Sequence, residues 1–258
     1  MPKHKVSSRA SAARVLKSKC DATALKPGNF SMANAASDAV DRDGFAIIER
    51  CVASTVLDQL QAALPSAGEQ AGLRNILTDR PVVRDFAKSA PIRAAVEAIL
   101  GPNCFAVRGL LFDKTPDANW KVAWHQDLTI AVRQRRNVDG FSAWSMKDDV
   151  LHVQPPTSIL EHMLALRLHL DDCHEENGPL RVLRGSHRDG RLDASAFDRW
   201  KATVPETRCI VDRGGVVLMR PLLLHASSVS KEVTHRRVVH LEFANCELPG
   251  GLEWFDRC

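Results

Sequence analysis

The sequence predicts a mainly β fold with flanking helices, arranged as a two-sheet jelly roll of eight strands. The chain has 258 residues and 45% hydrophobic content, enough for one large domain with a sizeable core. From Phe105 onward it carries eight short segments typical of strands, at about residues 105–113, 120–127, 163–170, 180–183, 207–212, 215–219, 222–226 and 237–244. Segments with helical spacing precede these strands.

Residues 1–36 form a basic segment that we expect to be largely disordered, because it is rich in Ser, Ala and Lys and lacks sustained apolar periodicity. Residues 1–27 contain seven Lys or Arg and one acid, so the net charge of +4 becomes −2 for the remainder. A basic, acid-poor start is also typical of an organellar transit peptide or a weak nucleic-acid contact. We place the folded domain at residues 37–258, and we find no strong argument for a nucleic-acid partner.

Between this segment and the main strands, the sequence predicts a short strand at residues 45–48 and two helices. Ser54 is placed to cap a helix in which three leucines recur at helical spacing. Ser89 is the expected cap of a second helix, which has proline in its first turn and ends at Gly101. We expect both helices to cover the outside of a sheet.

Three His-x-Asp pairs are candidate metal-binding motifs, although a single pair of this kind is weak evidence. They are His125/Asp127, His169/Asp171 and His187/Asp189. The third lies in a sequence typical of a turn. The second ends a predicted strand whose leucines alternate with Arg167 and His169, so it stays open as an alternative metal pair.

The first pair has a third potential ligand in His225. Residues i and i+2 of a strand point to the same side, so His125 and Asp127 can reach one metal while Gln126 faces away. Two histidines and a carboxylate on one face of octahedral iron(II) leave three positions open for a co-substrate and dioxygen. None of the seven cysteines lies beside these residues, which disfavours a structural zinc site.

Further motifs surround these residues in a fixed order. They are Asp43-Gly44-Phe45-Ala46-Ile47-Ile48, Phe112-Asp113-Lys114-Thr115-Pro116, Trp124-His125-Gln126-Asp127-Leu128, Leu170-Asp171-Asp172, Glu176-Asn177-Gly178-Pro179-Leu180-Arg181-Val182, Gly185-Ser186-His187, His225-Ala226-Ser227 and Arg236-Arg237. Together they resemble the phytanoyl-CoA dioxygenase family of iron(II)- and 2-oxoglutarate-dependent oxygenases, from about Asp41 to Phe255. Arg184 is a departure, because the family often has proline before Gly-Ser-His.

The resemblance implies a double-stranded β-helix, which is a jelly-roll or cupin-like barrel, with iron bound by His125, Asp127 and His225. In this family an arginine eleven residues after the distal histidine holds the far carboxylate of 2-oxoglutarate, a role that falls to Arg236 here. Ser227 matches the family's hydroxyl partner of the same carboxylate. Arginine suits this role because its planar fork binds a carboxylate through two parallel hydrogen bonds.

The implied activity is a dioxygenase that hydroxylates a C–H bond of a small-molecule substrate, using O2 and 2-oxoglutarate and releasing succinate and CO2. The presence of Asp127 argues against the halogenase variant, which lacks the carboxylate ligand. Two other functions stay open: a non-catalytic metal- or ligand-binding β-helix protein, and an oxygenase acting on a macromolecule, for which the basic segment is the hint. The sequence selects neither a substrate nor an oligomeric state.

Several polar residues are candidates for substrate contact. Arg108 and Lys114 lie on the strand before the metal strand, and Arg108 is also a candidate for the co-substrate. The remaining candidates are Arg167, His169, His152 and Gln154. The last two belong to residues 133–161, a long insertion with little regular pattern that we expect to form a lid, although both side chains can equally serve the loop's own backbone.

The setting is expected to be cytoplasmic. The chain has no apolar run long enough to cross a bilayer and no apolar signal segment. Its seven cysteines are an odd number without Cys-x-x-Cys pairs, which indicates reduced thiols.

Overall fold

The fold is that of a computed structural model, and the structure describes residues 15–17, 28–65, 72–231 and 235–258. The strands are β1 Val15–Lys17, β2 Phe45–Glu49, β3 Gly72–Leu73, β4 Phe105–Lys114, β5 Val122–His125, β6 Ile130–Val132, β7 Ser142–Lys147, β8 Val150–Gln154, β9 Met163–His169, β10 Leu180–Val182, β11 Thr207–Cys209, β12 Val216–Met219, β13 His225–Ser227 and β14 Arg236–Ala244. The helices are α1 Gly28–Asp43, α2 Ser54–Ala63, α3 Ile76–Asp79, α4 Pro81–Lys88, α5 Ala90–Leu100, α6 Thr157–Glu161 and α7 Ala194–Thr203. Each of the eight predicted β segments contains a strand, so these predictions are confirmed.

Two sheets form the jelly roll. The larger sheet has seven strands in the order β1-β2-β12-β9-β14-β4-β3, and the smaller has four in the order β11-β10-β13-β5. In the larger sheet, β14 pairs antiparallel with both β4 and β9. Residues of both sheets line one cavity, so the cavity lies between them.

Strand β14 shows how the larger sheet separates its two faces. Val239, Leu241 and Phe243 pack into the apolar core shared with the helices, whereas Arg236 and His240 line the cavity. This alternation follows from the period of two in a β-strand. The outer face therefore holds the helices, and the inner face is free to carry polar groups.

Helices α2 and α5 cover the outer face, as predicted. Their buried side chains, which include Leu60 and Val96, belong to the same core as the outward residues of β14. The predicted cap of α2 is wrong, because its N-cap is Ala53. Ser89 is the N-cap of α5, as predicted, although its side chain makes no capping hydrogen bond to that helix. The Ser89 hydroxyl donates instead to the carbonyl of Phe86 at 2.7 Å, because Ser89 also ends α4. In the described ranges, no helix combines the length and apolar character needed to cross a membrane.

The predicted boundary at residue 36 falls inside helix α1. Residues 28–36, which we expected to be disordered, are helical, and Ala36 and Val40 are buried in the core. These two buried residues lie one helical turn apart, and two apolar positions are too few to be recognised as a helical pattern in the sequence. Strand β1 also pairs in parallel with β2. Residues 1–14 and 18–27 lie outside the described residues, and disorder there stays a prediction.

The insertion at residues 133–161 is regular, contrary to expectation. It contributes β7, β8 and α6, and β8 pairs with both β6 and β7 in a three-stranded sheet. The turn between β7 and β8 consists of Asp148 and Asp149, which have φ of 47° and 60°. Two consecutive residues with positive φ characterise a tight hairpin turn, for which Asp is among the favoured residues. Its role as a lid stays a prediction.

A candidate metal centre in a cationic cavity

The cavity between the two sheets has a volume of about 230 Å³. The larger sheet contributes Arg108, Leu110, Phe112, Lys114, Arg167, Arg236, His240 and Glu242 to its wall. The smaller sheet contributes Val122, His125, Leu180, His225, Ala226 and Ser227. Arg74, Trp120, Asp127, Thr129 and Lys147 complete the lining.

His125, Asp127 and His225 meet at this cavity. Strand β13 pairs antiparallel with β5, which sets His225 directly opposite His125, with ring centroids 4.1 Å apart. The Nε2 atoms of both histidines lie 3.6 Å from oxygens of Asp127. One potential ligand atom from each residue lies within 4.8 Å of the others, so the three side chains can hold a metal ion.

The backbone fixes the tautomer of both histidines. Nδ1 of His125 lies 2.8 Å from the carbonyl of Ala123, and Nδ1 of His225 lies 2.8 Å from the carbonyl of Leu223. A carbonyl can only accept a hydrogen bond, so Nδ1 carries the proton in each ring. The lone pair of each Nε2 is therefore free for a metal, in the orientation that metal-binding histidines generally require.

Neighbouring residues hold the backbone of these ligands. The regular part of β5 ends at His125, and the N–H of Asp127 donates to the carbonyl of Pro221 at 2.9 Å. Gln126 faces away from the cavity, as predicted, and its amide donates to the carbonyls of Gly190 and Leu222. The buried hydroxyl of Ser186 accepts from the N–H of Leu224 at 2.8 Å, which anchors the residue before His225.

The protonation of the three side chains suits a metal site. Burial lowers the pKa of His225 to about 4, so this ring is neutral near pH 7. Burial disfavours the ionised form of Asp127, but the facing rings of His225 and His125 outweigh it and lower the pKa of Asp127. Burial also opposes the charged form of His125, but Asp127 outweighs it and raises the pKa of His125.

A second group of polar side chains lies where β4 and β14 meet. Arg236 is opposite Lys114 in the strand register, and both are almost fully buried, with exposed fractions of 3% and 1%. Nζ of Lys114 donates to Oγ of Ser227 at 3.2 Å and also to the carbonyl of Ser228. Within the described residues, Nε of Arg236 has no hydrogen-bond partner. Burial and the charge of Arg236 lower the pKa of Lys114 to about 7.

Gly178 explains part of one sequence motif. Its φ is +70°, and a Cβ there would lie 2.5 Å from the carbonyl oxygen of Ser228 and 3.2 Å from Nζ of Lys114. Any other residue at this position would have a strained backbone, and its Cβ would collide with the carbonyl of Ser228 that Lys114 contacts. The motif therefore shapes the wall beside Lys114 and Ser227.

The candidate substrate residues divide into two sets. Arg108, Lys114 and Arg167 line the cavity, whereas His152, Gln154 and His169 are not among its lining residues. His152 is buried in the small sheet, with Nδ1 3.0 Å from the carbonyl of Val150.

The alternative pair His169/Asp171 is not a metal site in the part of the chain that the structure describes. His169 is buried, and burial holds its pKa well below the usual range. Asp171 accepts two hydrogen bonds, of 2.7 and 2.9 Å, from the guanidinium of Arg237. Strand β9 ends at His169, so the alternation that would put both residues on one face does not continue.

Four ionisable lining residues were not among the predicted site residues: His240, Glu242, Arg74 and Lys147. His240 and Glu242 had a signal in the sequence. Each lies an even number of residues after Arg236 on a predicted strand, so all three side chains should face the same side of the sheet. Arg74 and Lys147 come from separate segments and had no comparable signal.

The family described as phytanoyl-CoA dioxygenase (PhyH) matches residues 40–237. The peroxisomal phytanoyl-CoA dioxygenase of Mus musculus is 25% identical over 169 residues, which cover 59% of this chain and 43% of that protein. The match thus spans less than half of the length of that relative. The iron/alpha-ketoglutarate-dependent dioxygenase ausU of Aspergillus calidoustus is 25% identical over 224 residues, which cover 82% of this chain and 71% of that protein.

Solved structures share the fold. AviO1 from Streptomyces viridochromogenes Tue57 has a TM-score of 0.59 at 23% identity, over 84% of this chain and 95% of that chain. The non-heme alpha ketoglutarate dependent epimerase SnoN from nogalamycin biosynthesis has a TM-score of 0.65 at 15% identity, over 88% and 91%. A further SnoN structure is a complex with Fe3+, alpha ketoglutarate and nogalamycin RO. At these identities the likeness concerns the fold, and it confirms the predicted jelly roll.

Proposed function

The chain belongs to the phytanoyl-CoA dioxygenase family, and from this premise we propose that it is an iron(II)- and 2-oxoglutarate-dependent dioxygenase that hydroxylates a C–H bond of a small molecule. The observation that carries the proposal is the presence of two complementary sites in one cavity. One is the group of His125, Asp127 and His225, and the other is the buried pair of Arg236 and Lys114.

The donor set fits iron(II). Two imidazoles oriented by their Nδ1 atoms, together with one carboxylate, form the facial set that non-haem iron oxygenases use. His125, Asp127 and His225 would hold the metal. The hydrogen bonds from each Nδ1 to a backbone carbonyl keep the rings oriented toward it.

The second site fits the distal carboxylate of 2-oxoglutarate. A buried guanidinium with an unused N–H is costly unless an anion pairs with it. Arg236 would bind this carboxylate through its planar fork, and Ser227 and Lys114 would add a hydroxyl and an ammonium donor. The sequence predicted that Lys114 contacts the substrate, whereas in this proposal Lys114 binds the co-substrate.

When bound, iron and 2-oxoglutarate together activate dioxygen, consume the 2-oxo acid to give succinate and CO2, and oxidise the substrate. The protein's part is to orient the co-substrate between Arg236 and the metal ligands. Phe112 and Leu110 contribute apolar surface to the cavity wall, which limits the access of water.

Two other outcomes use the same cofactors. The solved structures of similar fold include an epimerase and a carbocyclase, both alpha ketoglutarate dependent. The non-catalytic binding protein is disfavoured because three side chains able to hold a metal ion and the buried Arg236 line one cavity. An oxygenase of macromolecules has only the basic first residues in its favour, and most of these lie outside the described residues.

The test is a screen of small metabolites for stimulation of succinate formation by the protein with iron(II) and 2-oxoglutarate. Product masses separate the outcomes: hydroxylation adds one oxygen atom, cyclisation or desaturation removes hydrogen, and epimerisation leaves the mass unchanged. Asp127→Ala is the control and should form no succinate. If the wild-type protein neither binds nor consumes 2-oxoglutarate, the proposed function is wrong.

A further inference from the structure

The cavity has more positive charge than the co-substrate can neutralise. In the described part of the chain its lining includes two acids, Asp127 and Glu242, and six cations, which are Arg74, Arg108, Lys114, Lys147, Arg167 and Arg236. Asp127 is committed to the metal, which is itself a cation, and 2-oxoglutarate brings two carboxylates. Several positive charges therefore remain inside a partly buried space, where unpaired charges are costly.

These cations lie at two separate ends of the cavity. On β14, Arg236 and Glu242 are six residues apart, which corresponds to about 20 Å of strand. Lys114 is opposite Arg236 at one end, and Arg108 is opposite Glu242 at the other. His240 lies between these ends. Ser227 accepts from Lys114 at the Arg236 end, whereas Asp127 lines a second small pocket together with Glu242, so the metal ligands lie between Arg236 and Glu242. The Arg108 end is thus on the far side of the metal from Arg236.

Glu242, the acid at the Arg108 end, already has partners within the protein. Glu242 lies 3.1 Å from the guanidinium of Arg108, and Oε1 also lies 3.4 Å from Nε2 of His240. Arg167 donates to Nδ1 of His240, and since arginine can only donate, the proton of this neutral ring is on Nε2 and points to Glu242. Glu242 is therefore committed to Arg108 and forms no ion pair with Lys147 or Arg74 among the described residues.

Lys147 is the cation at this end with the weakest pairing. Among the described residues it donates to Oγ1 of Thr129 at 3.3 Å and forms no ion pair. Arg74 pairs with Asp148, whose side chain is 65% exposed. Burial, followed by the charges of Arg108 and Arg74, lowers the pKa of Lys147, which agrees with its position among cations.

We infer that the substrate is an anion whose carboxylate or phosphate group binds Lys147 and Arg74 at the end of the cavity opposite Arg236. This inference rests on the proposed function, in which 2-oxoglutarate occupies the Arg236 end. The anionic group would hold one end of the substrate, so that a C–H bond elsewhere in the molecule lies next to the metal. The distance of each substrate carbon from the anionic group bound at Lys147 would then determine which carbon is oxidised.

The experiment uses the full chain loaded with Mn(II) and saturating 2-oxoglutarate, so that the Arg236 end is filled. Two matched pairs of probes, butyl phosphate with 1-butanol and pentanoate with pentanamide, are titrated by ligand-observed NMR. At least one anion should bind about tenfold or more tightly than its neutral partner, a difference of ~1.4 kcal/mol. The pair with the larger difference identifies phosphate or carboxylate as the favoured group.

Lys147→Gln should remove the preference for the anion, and Lys147→Arg should retain it. The matched control is Lys88→Gln, which removes an exposed lysine from α4, remote from the cavity lining. Equal or undetectable binding of anion and neutral partner by the wild-type protein, or a preference that persists in Lys147→Gln, would overturn the inference. Failure to bind 2-oxoglutarate at the loading step would instead refute the proposed function, and titration with Mn(II) alone would still decide the anion site.

Discussion

Replacing Arg236 with Gln should weaken the binding of 2-oxoglutarate while leaving metal affinity unchanged. Removing one partner of a buried, hydrogen-bonded charge pair costs about 2–5 kcal/mol. Lys114 lies directly opposite and keeps some positive charge in the pocket, so the lower part of that range applies. A loss of about 2–3 kcal/mol corresponds to roughly 30- to 150-fold weaker binding.

The assay is isothermal titration of Mn(II)-loaded protein with two 2-oxo acids. 2-Oxobutyrate has no distal carboxylate, so Arg236→Gln should weaken the binding of 2-oxoglutarate and leave that of 2-oxobutyrate unchanged. Arg237→Gln is the matched control, because this neighbour pairs with Asp171 and does not line the cavity. It should lower thermal stability and leave both affinities unchanged. Equal losses from both variants, or a loss of 2-oxobutyrate binding in Arg236→Gln, would refute the assigned role.

Three further predictions follow from individual side chains. Asp127→Ala should abolish Mn(II) binding in a calorimetric titration and His169→Ala should keep it; the reverse pattern would show that the wrong pair was chosen. Affinity for 2-oxoglutarate should fall as pH rises through about 7, because Lys114 has a pKa of about 7 and attracts the carboxylate only when protonated. Lys114→Met should flatten this profile, and a flat wild-type profile would contradict the role of the ammonium group. Val40→Ala should lower the free energy of unfolding by about 2 kcal/mol and the melting temperature by roughly 4–8 °C, since Val40 is fully buried; an unchanged melting temperature would show that α1 does not pack as described.

The strands of the jelly roll were predictable because a sheet with one covered face repeats with a period of two. The predicted residues 163–170 and 237–244 became β9 and β14, which pair in the middle of the larger sheet. Helix α1 was missed because Ala36 and Val40 are its only buried residues among those whose side chains are described, which is too few to form a recognisable apolar stripe in the sequence. The strands β7 and β8 were missed because the Asp148–Asp149 turn has no glycine to mark it.

The sequence by itself predicted the three residues that lie together as a candidate metal site. His125 and Asp127 are two residues apart and adjoin one strand, so local backbone geometry brings them together. His225 and Arg236 were found through their spacing within a family pattern. The alternation along β14 also predicted that Arg236 and Arg237 face opposite ways, and Arg236 lines the cavity whereas Arg237 pairs with Asp171.

The tertiary structure alone decided which charges face each other across the cavity. Arg74, Lys147 and Glu242 come from three distant segments and line the same cavity. Lys114 acquires its pKa of about 7 because burial and Arg236 both disfavour its charge. Such effects depend on distances between residues far apart in the chain, and a local pattern of residue types contains no information about those distances.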